Sequence, residues 1–143
     1  MSISDNINKL HYQLPDKAKL VAITKTKPEQ DIMEAYKAGH KIFGENKVQE
    51  LVRKYENLPK DIEWHMVGHL QTNKVKYIAS FISLIHSVDS LKLLNTVDKE
   101  ALKCNRIIDC LLQLRIAKEE TKFGLTFEEI RDIIDSREFK EMK

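Results

Sequence analysis

Short apolar or β-branched runs recur along this chain at intervals of about 22 residues, and segments with helical periodicity lie between them. A strand followed by a helix, repeated, favours a parallel sheet, because each crossover returns the chain to the same end of the sheet. The alternation therefore predicts an α/β fold built from repeated β/α units. The predicted strands cover residues 19–25, 41–46, 62–68, 84–89 and 107–116.

The segments between these runs place apolar side chains on one helical face. Gly39 is expected to end the first of these helices in a left-handed conformation, and Pro59 follows the second. The apolar positions are Ile32, Met33, Ala35 and Tyr36, then Val48, Leu51, Val52 and Tyr55, and later Leu91, Leu94, Val97 and Ala101.

Two further helices are predicted at the ends of the chain. A leading amphipathic helix over residues 4–14 would carry Ile7, Leu10 and Leu14 on one face. Near the other end, Thr126 and Glu129 have the spacing of a capping box. The helix that they begin carries Ile130, Ile133 and Ile134 on one face.

The number of units limits the architecture. Eight units of about 22 residues, or about 180 residues in all, are needed to close a TIM barrel, and this chain has five units. Residues 137–143 are charged and end where a sixth strand ought to begin. Either the chain is a complete small open α/β protein, or it is the N-terminal part of a larger barrel, a single domain over 1–143 without strands 6 to 8.

Composition excludes several classes of protein. With 143 residues, 42% hydrophobic and 32% charged, the chain can bury one core. No apolar stretch approaches the roughly 20 residues that span a bilayer, and the N-terminus lacks a secretory signal, so we expect a cytoplasmic protein without a membrane partner. The net charge of +2 is spread over mixed charges, which predicts no nucleic-acid partner. Cys104 and Cys110 fit neither a zinc site nor a disulfide framework and are expected to be reduced thiols, with Cys110 the more buried.

Lys25 stands at the end of the first predicted strand, in the segment LVAITKTKP (20–28). A lysine there is either a solvated strand end or a nucleophile for a carbonyl compound, and an uncharged amine forms Schiff bases with aldehyde cofactors such as pyridoxal phosphate. Strand alternation places Val21 and Ile23 on one face with Lys25.

Ile42, Gly44 and Asn46 share a face of the second strand. If these faces line a barrel, Lys25 and Asn46 emerge at its C-terminal mouth, where barrel enzymes build their sites. Gly44 would then leave open space for a ring. The alternative is that Gly44 marks a bulge and Asn46 caps the following helix.

The segment WHMVGHLQTNK (64–74) concentrates polar side chains. His65 and His69 do not have the spacing of zinc ligands on a helical turn, and a hydrogen-bonded core histidine is the alternative for His65. His86 and Gln113 complete a ring of polar residues at strand ends. Residues 119–124 are predicted to form a solvated loop in which Lys122 could contact a phosphate.

Three motifs together resemble the pyridoxal phosphate homeostasis proteins: AITKTKP (22–28), FGENKVQE (43–50) and WHMVGHLQTNK (64–74), followed by IHSVD (85–89) and KFG (122–124). The resemblance covers nearly the whole chain. It implies a fold similar to the barrel domain of bacterial alanine racemase, with the first-strand lysine, Lys25, holding pyridoxal 5′-phosphate as a Schiff base.

The same resemblance implies that Asn46 lines the pocket beside the cofactor and that His65 and His86 face the barrel mouth. The family's phosphate-binding residues, and its arginine facing the pyridine nitrogen, belong to later strands. Weak cofactor affinity is therefore expected, and the chain is expected to be a fragment of a protein of about 220 residues.

Three functions remain open at this level. The first is a cofactor-binding protein of intracellular pyridoxal phosphate homeostasis, without catalytic turnover, with pyridoxal-phosphate-dependent apoenzymes as candidate partners. The second is a racemase-like enzyme, which would need a second acid or base such as His65 or Lys122. The third is a non-catalytic interaction module that associates with another copy through exposed sheet edges.

Overall fold

The repeated units form one parallel sheet in the computed structural model, which describes residues 1–116 and 123–143. The strands lie side by side in the order β1-β2-β3-β4-β5, and every neighbouring pair is parallel. This order is that of a barrel wall, in contrast to a doubly wound sheet, whose strand order reverses. The strands are β1 (Ala22–Ile23), β2 (Ile42–Glu45), β3 (Glu63–Met66), β4 (Leu84–Val88) and β5 (Asp109–Leu112).

Helices connect the strands, and further helices precede β1 and follow β5. A short 3-10 turn over Thr72–Lys74 precedes the helix between β3 and β4. The helices are α1 (Ile3–Gln13), α2 (Glu29–Lys37), α3 (Val48–Asn57), α4 (Val75–Ile78), α5 (Leu91–Lys103), α6 (Phe127–Asp135) and α7 (Arg137–Glu141).

The core lies between the helices and one face of the sheet. Alternate strand residues on this face, such as Phe43, Trp64 and Ile85, are fully buried. They belong to one apolar cluster with residues of the covering helices, including Ile32 of α2, Leu51 of α3 and Leu93 of α5. The opposite face carries Ile23 and Leu111, which are 48% and 49% exposed. The described residues therefore form an incomplete barrel wall with helices outside and an open inner face.

Local signals account for the ends of several helices. Gly39 has φ +95° directly after α2, the left-handed conformation that glycine adopts without strain. Leu58 and Pro59 follow α3. Thr126 accepts a hydrogen bond from the Glu129 backbone N–H at the start of α6, as half of the predicted capping box.

Some details differ from the sequence predictions. β1 ends at Ile23, so Lys25 lies in the turn beyond it and is exposed. The first helix covers Ile3–Gln13, one residue earlier at each end than predicted, and within it Ile7 is buried and Leu10 is 44% exposed. Residues 137–141, for which the sequence predicted no element, form helix α7, and Ser136 caps it by accepting from the Phe139 N–H. Cys110 is half-buried and Cys104 is exposed, as predicted.

Within the described ranges, no helix combines the length and the apolar character needed to cross a membrane. The predicted loop over residues 119–124 lies largely outside the described residues, and Lys122 is among those not described. Beyond that loop, Leu125 forms a parallel bridge with Leu114, which extends the pairing of the chain after β5.

Gly68 permits a close backbone approach between the ends of β2 and β3. A Cβ atom at Gly68 would lie 2.7 Å from Asn46 Cα and would also overlap the Asn46 carbonyl group. Moving either backbone segment is costly, because each lies just beyond a strand that is hydrogen-bonded to its neighbour. We expect Gly68→Ala to lower the free energy of unfolding by about 1–3 kcal/mol, the usual cost of overpacking.

Urea denaturation measures this effect, with Gly44→Ala as the comparison. The added methyl group at Gly44 meets only side-chain atoms, of which the nearest is Ile23 Cδ1 at 2.8 Å. Because that side chain can rotate, the loss should be smaller than for Gly68→Ala. Equal losses for the two variants would contradict this account.

Candidate functional site

The carboxyl edge of the sheet gathers the residues that the sequence singled out. Ile23 pairs with Gly44, and Lys25 and Asn46 each lie two residues further along the chain, beyond the ends of β1 and β2. His65 pairs with Leu84, so His86 reaches the same level as Asn46, and His65 lies one layer deeper. The four residues thus share one region of the edge, although none of the hydrogen bonds among described residues joins Lys25 to the other three.

Lys25 projects from a tight turn between β1 and α2. The Lys27 N–H donates to the Thr24 carbonyl at 3.0 Å and closes the turn. Thr26 has φ +64°, a left-handed conformation that β-branched residues rarely adopt. Lys25 itself is exposed, so its amine is open to reagents in solution.

A buried ionic network lies beneath this turn. The Lys54 ammonium of α3 donates to Glu45 Oε1 at 2.6 Å, to Glu50 Oε1 at 2.8 Å and to the Thr24 carbonyl at 2.8 Å. Lys54 and Glu45 have side chains with 0% exposure. The hydrogen bond from Lys54 holds the pKa of the Glu50 carboxyl below its usual value, so this group is charged at neutral pH.

His65 and His86 contact each other on the inner face of the sheet. His65 Nδ1 and His86 Nε2 are 2.9 Å apart, a distance at which one ring donates and the other accepts according to tautomer. Burial lowers the pKa of both imidazoles, and the proximity of His86 lowers that of His65 further. The pair is therefore neutral at physiological pH, and His65 has the hydrogen-bonded interior position that was the alternative for it.

Gly44 does not leave the predicted open space. Val21, Ile23 and Val67 fill the position above it, with atoms 2.8 to 3.3 Å from where a Cβ atom would stand. The bulge alternative is also wrong, because β2 pairs with β3 without interruption from Ile42 to Glu45. The irregularity lies instead in β4, between Ile85 and Val88.

Asn46 is half-buried and does not cap α3, whose N-cap is Lys47. Beside Asn46 lies a cleft of about 310 Å³. Two cationic side chains, Lys47 and Lys74, bring positive charge to it, and its other lining residues are Val48, Gln49, His69 and Gln71.

Among the described residues, the neighbours of His69 do not form a set of zinc ligands. Its Nδ1 lies 3.3 Å from Asp89 Oδ2, and its ring stacks on Phe123 with a centroid distance of 3.7 Å. Across residues 1–116 and 123–143, no group of three or more histidine, cysteine, aspartate or glutamate side chains could hold a metal ion. Gln113 donates from its side-chain amide to the Phe123 carbonyl and so contributes to this packing.

The sequence predictions missed Thr24, Glu45, Glu50 and Lys54. The signal for two of them was present, because Lys54 lies at helical spacing between buried Leu51 of α3 and buried Leu58 just after it, and Glu45 shares the strand face of buried Phe43. A lysine and a glutamate, both at core positions, indicate a buried pair.

Comparison with known proteins identifies the family. The model of the alanine racemase N-terminal domain matches residues 1–141. The chain belongs to this family. The chain is 44% identical over 119 residues to the pyridoxal phosphate homeostasis protein of Aquifex aeolicus, covering 82% of this chain and 52% of that protein. It is 41% identical over 120 residues to the homologue of the same name from Synechocystis, with 82% and 55% covered.

Solved structures agree with the fold. PipY of Synechococcus elongatus with pyridoxal phosphate bound superposes with a TM-score of 0.89 at 32% identity, covering 99% of this chain and 66% of that one. Alanine racemase from Enterococcus faecalis has a TM-score of 0.69 at 17% identity, with 92% and 36% covered. This second likeness concerns the fold alone. The chain spans about half the length of the two pyridoxal phosphate homeostasis proteins from Aquifex aeolicus and Synechocystis.

The neutral histidines make stability depend on pH. Burial lowers the pKa of His40 as well as those of His65 and His86, below the ordinary value of 6.5. Such groups bind fewer protons in the folded chain than in the unfolded chain. The free energy of unfolding should therefore be greatest above the unfolded pKa and should decrease as the pH falls through it towards the lowered folded values.

Urea denaturation at several values between about pH 7.5 and pH 5.5 measures this slope, in a window above the ordinary titration of carboxylates. His65→Gln removes one titrating group and retains hydrogen-bonding atoms near His86, so it should reduce the slope. An unchanged slope in this variant would show that the pair does not contribute.

Proposed function

We propose that this chain binds pyridoxal 5′-phosphate through Lys25 and takes part in intracellular pyridoxal phosphate homeostasis. The observation that carries the proposal is the exposed amine of Lys25, held on an ordered turn at the carboxyl edge of a parallel barrel wall. The names of the relatives support the function, as does the bound pyridoxal phosphate of PipY.

Residues at the carboxyl edge of the sheet supply some of the contacts that an aromatic aldehyde needs. The cofactor supplies an aldehyde carbon, with which a lysine amine condenses to a C=N bond and releases water. Lys25 supplies that amine, and we propose that Asn46, His65 and His86 line the same site. His65 and His86 are neutral and bonded to each other, so they would offer polar contacts without added charge.

We also propose that the chain binds the cofactor without catalysing a reaction on it. An enzyme of the racemase type needs a second acid or base opposite the ring. Of the two candidates, His65 is committed to His86, and Lys122 lies outside the described residues. Transfer of the cofactor to apoenzymes and a cytoplasmic location remain proposals, as does the assignment of residues 1–143 to the first part of an alanine-racemase-like barrel.

Reductive labelling tests the role of Lys25. The chain is mixed with pyridoxal phosphate, reduced with borohydride and digested, and the labelled lysines are mapped. We expect the label to concentrate on Lys25, and we expect the visible absorbance of the imine to disappear in Lys25→Ala. Lys27→Ala is the matched control, because Lys27 lies in the same loop and should not affect labelling of Lys25.

Label spread evenly over the surface lysines would contradict a dedicated site. Turnover of an amino acid that depends on Lys25 would support the racemase-like function in place of binding alone.

Self-association through the sheet also stays a prediction. β1 and β5 are the two outer strands, and the inner face exposes Ile23 and Leu111. Size-exclusion chromatography over a range of concentrations checks it. A dimer that Leu111→Lys returns to a monomer is the expected result, and a monomer at all concentrations would contradict it.

A further inference from the structure

The Lys54 ammonium is a fully buried cation next to the proposed anchor, although it does not touch it. Its three N–H groups have three acceptors: Glu45 Oε1, Glu50 Oε1 and the Thr24 carbonyl. We infer that Lys54 and its acceptors are positioning residues for Lys25, which fix the turn so that the Lys25 amine reacts ahead of other lysines. This inference rests on the proposed function.

The first anchor holds the residue before Lys25. The Thr24 carbonyl accepts from Lys54 at 2.8 Å, and this carbonyl belongs to the peptide group that joins Thr24 to Lys25. The Thr24 hydroxyl donates to Glu45 Oε1 at 2.6 Å, and its backbone N–H donates to the Gly44 carbonyl at 3.0 Å. Thr24 is buried, so these bonds are shielded from water.

The second anchor holds the residue after Lys25. The Thr26 N–H donates to Glu50 Oε1 at 2.8 Å, while Thr26 keeps the left-handed φ of +64°. Glu50 is charged and is itself held by Lys54 at 2.8 Å. A charged acceptor strengthens the bond from the backbone N–H, which stabilises a conformation that threonine rarely adopts.

Both peptide neighbours of Lys25 are therefore tied to one buried cation, while the Lys25 side chain remains exposed. Attachment of a small molecule to Lys25 then requires ordering of one side chain only, because the backbone is already ordered. Lys27, further along the same loop, joins this network only through its own backbone N–H, which donates to the Thr24 carbonyl at 3.0 Å, and among the described residues the position after it has no bond to Lys54, Glu45 or Glu50. A preference for Lys25 over Lys27 is the expected consequence.

The closing experiment measures the ratio of reduced pyridoxal phosphate label on Lys25 to that on Lys27, which depends little on the folded fraction of a variant. Thr24→Val removes the hydroxyl with little change in shape, and Thr24→Ser retains it. Lys54→Met removes the buried cation. Lys41→Met is the matched control, because Lys41 forms an exposed ion pair with Asp61 beyond the other end of β2.

We expect the ratio to fall about tenfold in Thr24→Val and in Lys54→Met, the effect of losing a hydrogen bond to a charged group. It should keep its wild-type value in Thr24→Ser and Lys41→Met. Hydrogen exchange of the Thr26 amide gives a second readout without cofactor, and its protection should decrease in Lys54→Met. If Lys54→Met does not fold, the same amide is measured in Glu50→Ala.

An unchanged ratio in Thr24→Val overturns the inference, whether or not Lys54→Met folds. A wild-type chain without preference for Lys25 counts against the proposed function instead. In that case hydrogen exchange of the Thr26 amide tests the positioning role of Lys54 and its acceptors. Retained protection of this amide in the variants overturns the role, and lost protection supports it.

Discussion

The buried ion pair between Lys54 and Glu45 is the interaction on which the carboxyl edge of this sheet depends. It links α3 to β2 and, through Thr24, to the turn beyond β1. Two charges removed from water cost several kcal/mol each, and their mutual attraction offsets this cost only with good geometry and further hydrogen bonds. All three N–H groups of Lys54 are bonded, but Glu45 Oε2 has no partner among the described residues. Removal of Glu45 alone would leave the Lys54 cation buried without its anion and would cost about 3–5 kcal/mol of stability. The pair therefore holds α3, β2 and the turn beyond β1 in one arrangement.

The carboxyl edge is covered on the helix side, where the Lys54–Glu45 pair lies, and open on the inner face of the sheet. The helices and the buried face of the sheet form the single core, in which Trp64 and Phe43 pack together. The inner face has no such covering in the described residues, and Ile23 and Leu111 remain about half exposed. Side chains at the rim are consequently held from the helix side, while they remain accessible from the inner face. A reactive amine on a rigid backbone requires this combination.

Elements with strong local signals were predictable. Five apolar runs became five strands, because parallel strands in a covered sheet are apolar along much of their length. Gly39 and Thr126 marked helix ends through chemistry that acts within one turn. The strand pattern also predicted that Lys25 and Asn46 follow β1 and β2, whose observed pairing ends at Ile23 and Gly44. The space over Gly44 was not predictable, since it depends on side chains from neighbouring strands, and the spacing of one strand carries no information about them.

The sequence alone determined the repeated β/α order, the parallel sheet, the family and the lysine at the carboxyl edge, because periodicity and motifs are properties of neighbouring residues. Only the tertiary structure decided that His65 pairs with His86 and that Lys54 reaches the Thr24 carbonyl. Those partners are separated by 21 and 30 positions in the chain. Their contact depends on how strands and helices pack in three dimensions, and burial then lowers the pKa of the two imidazoles, while Lys54 is held by three acceptors from separate parts of the chain.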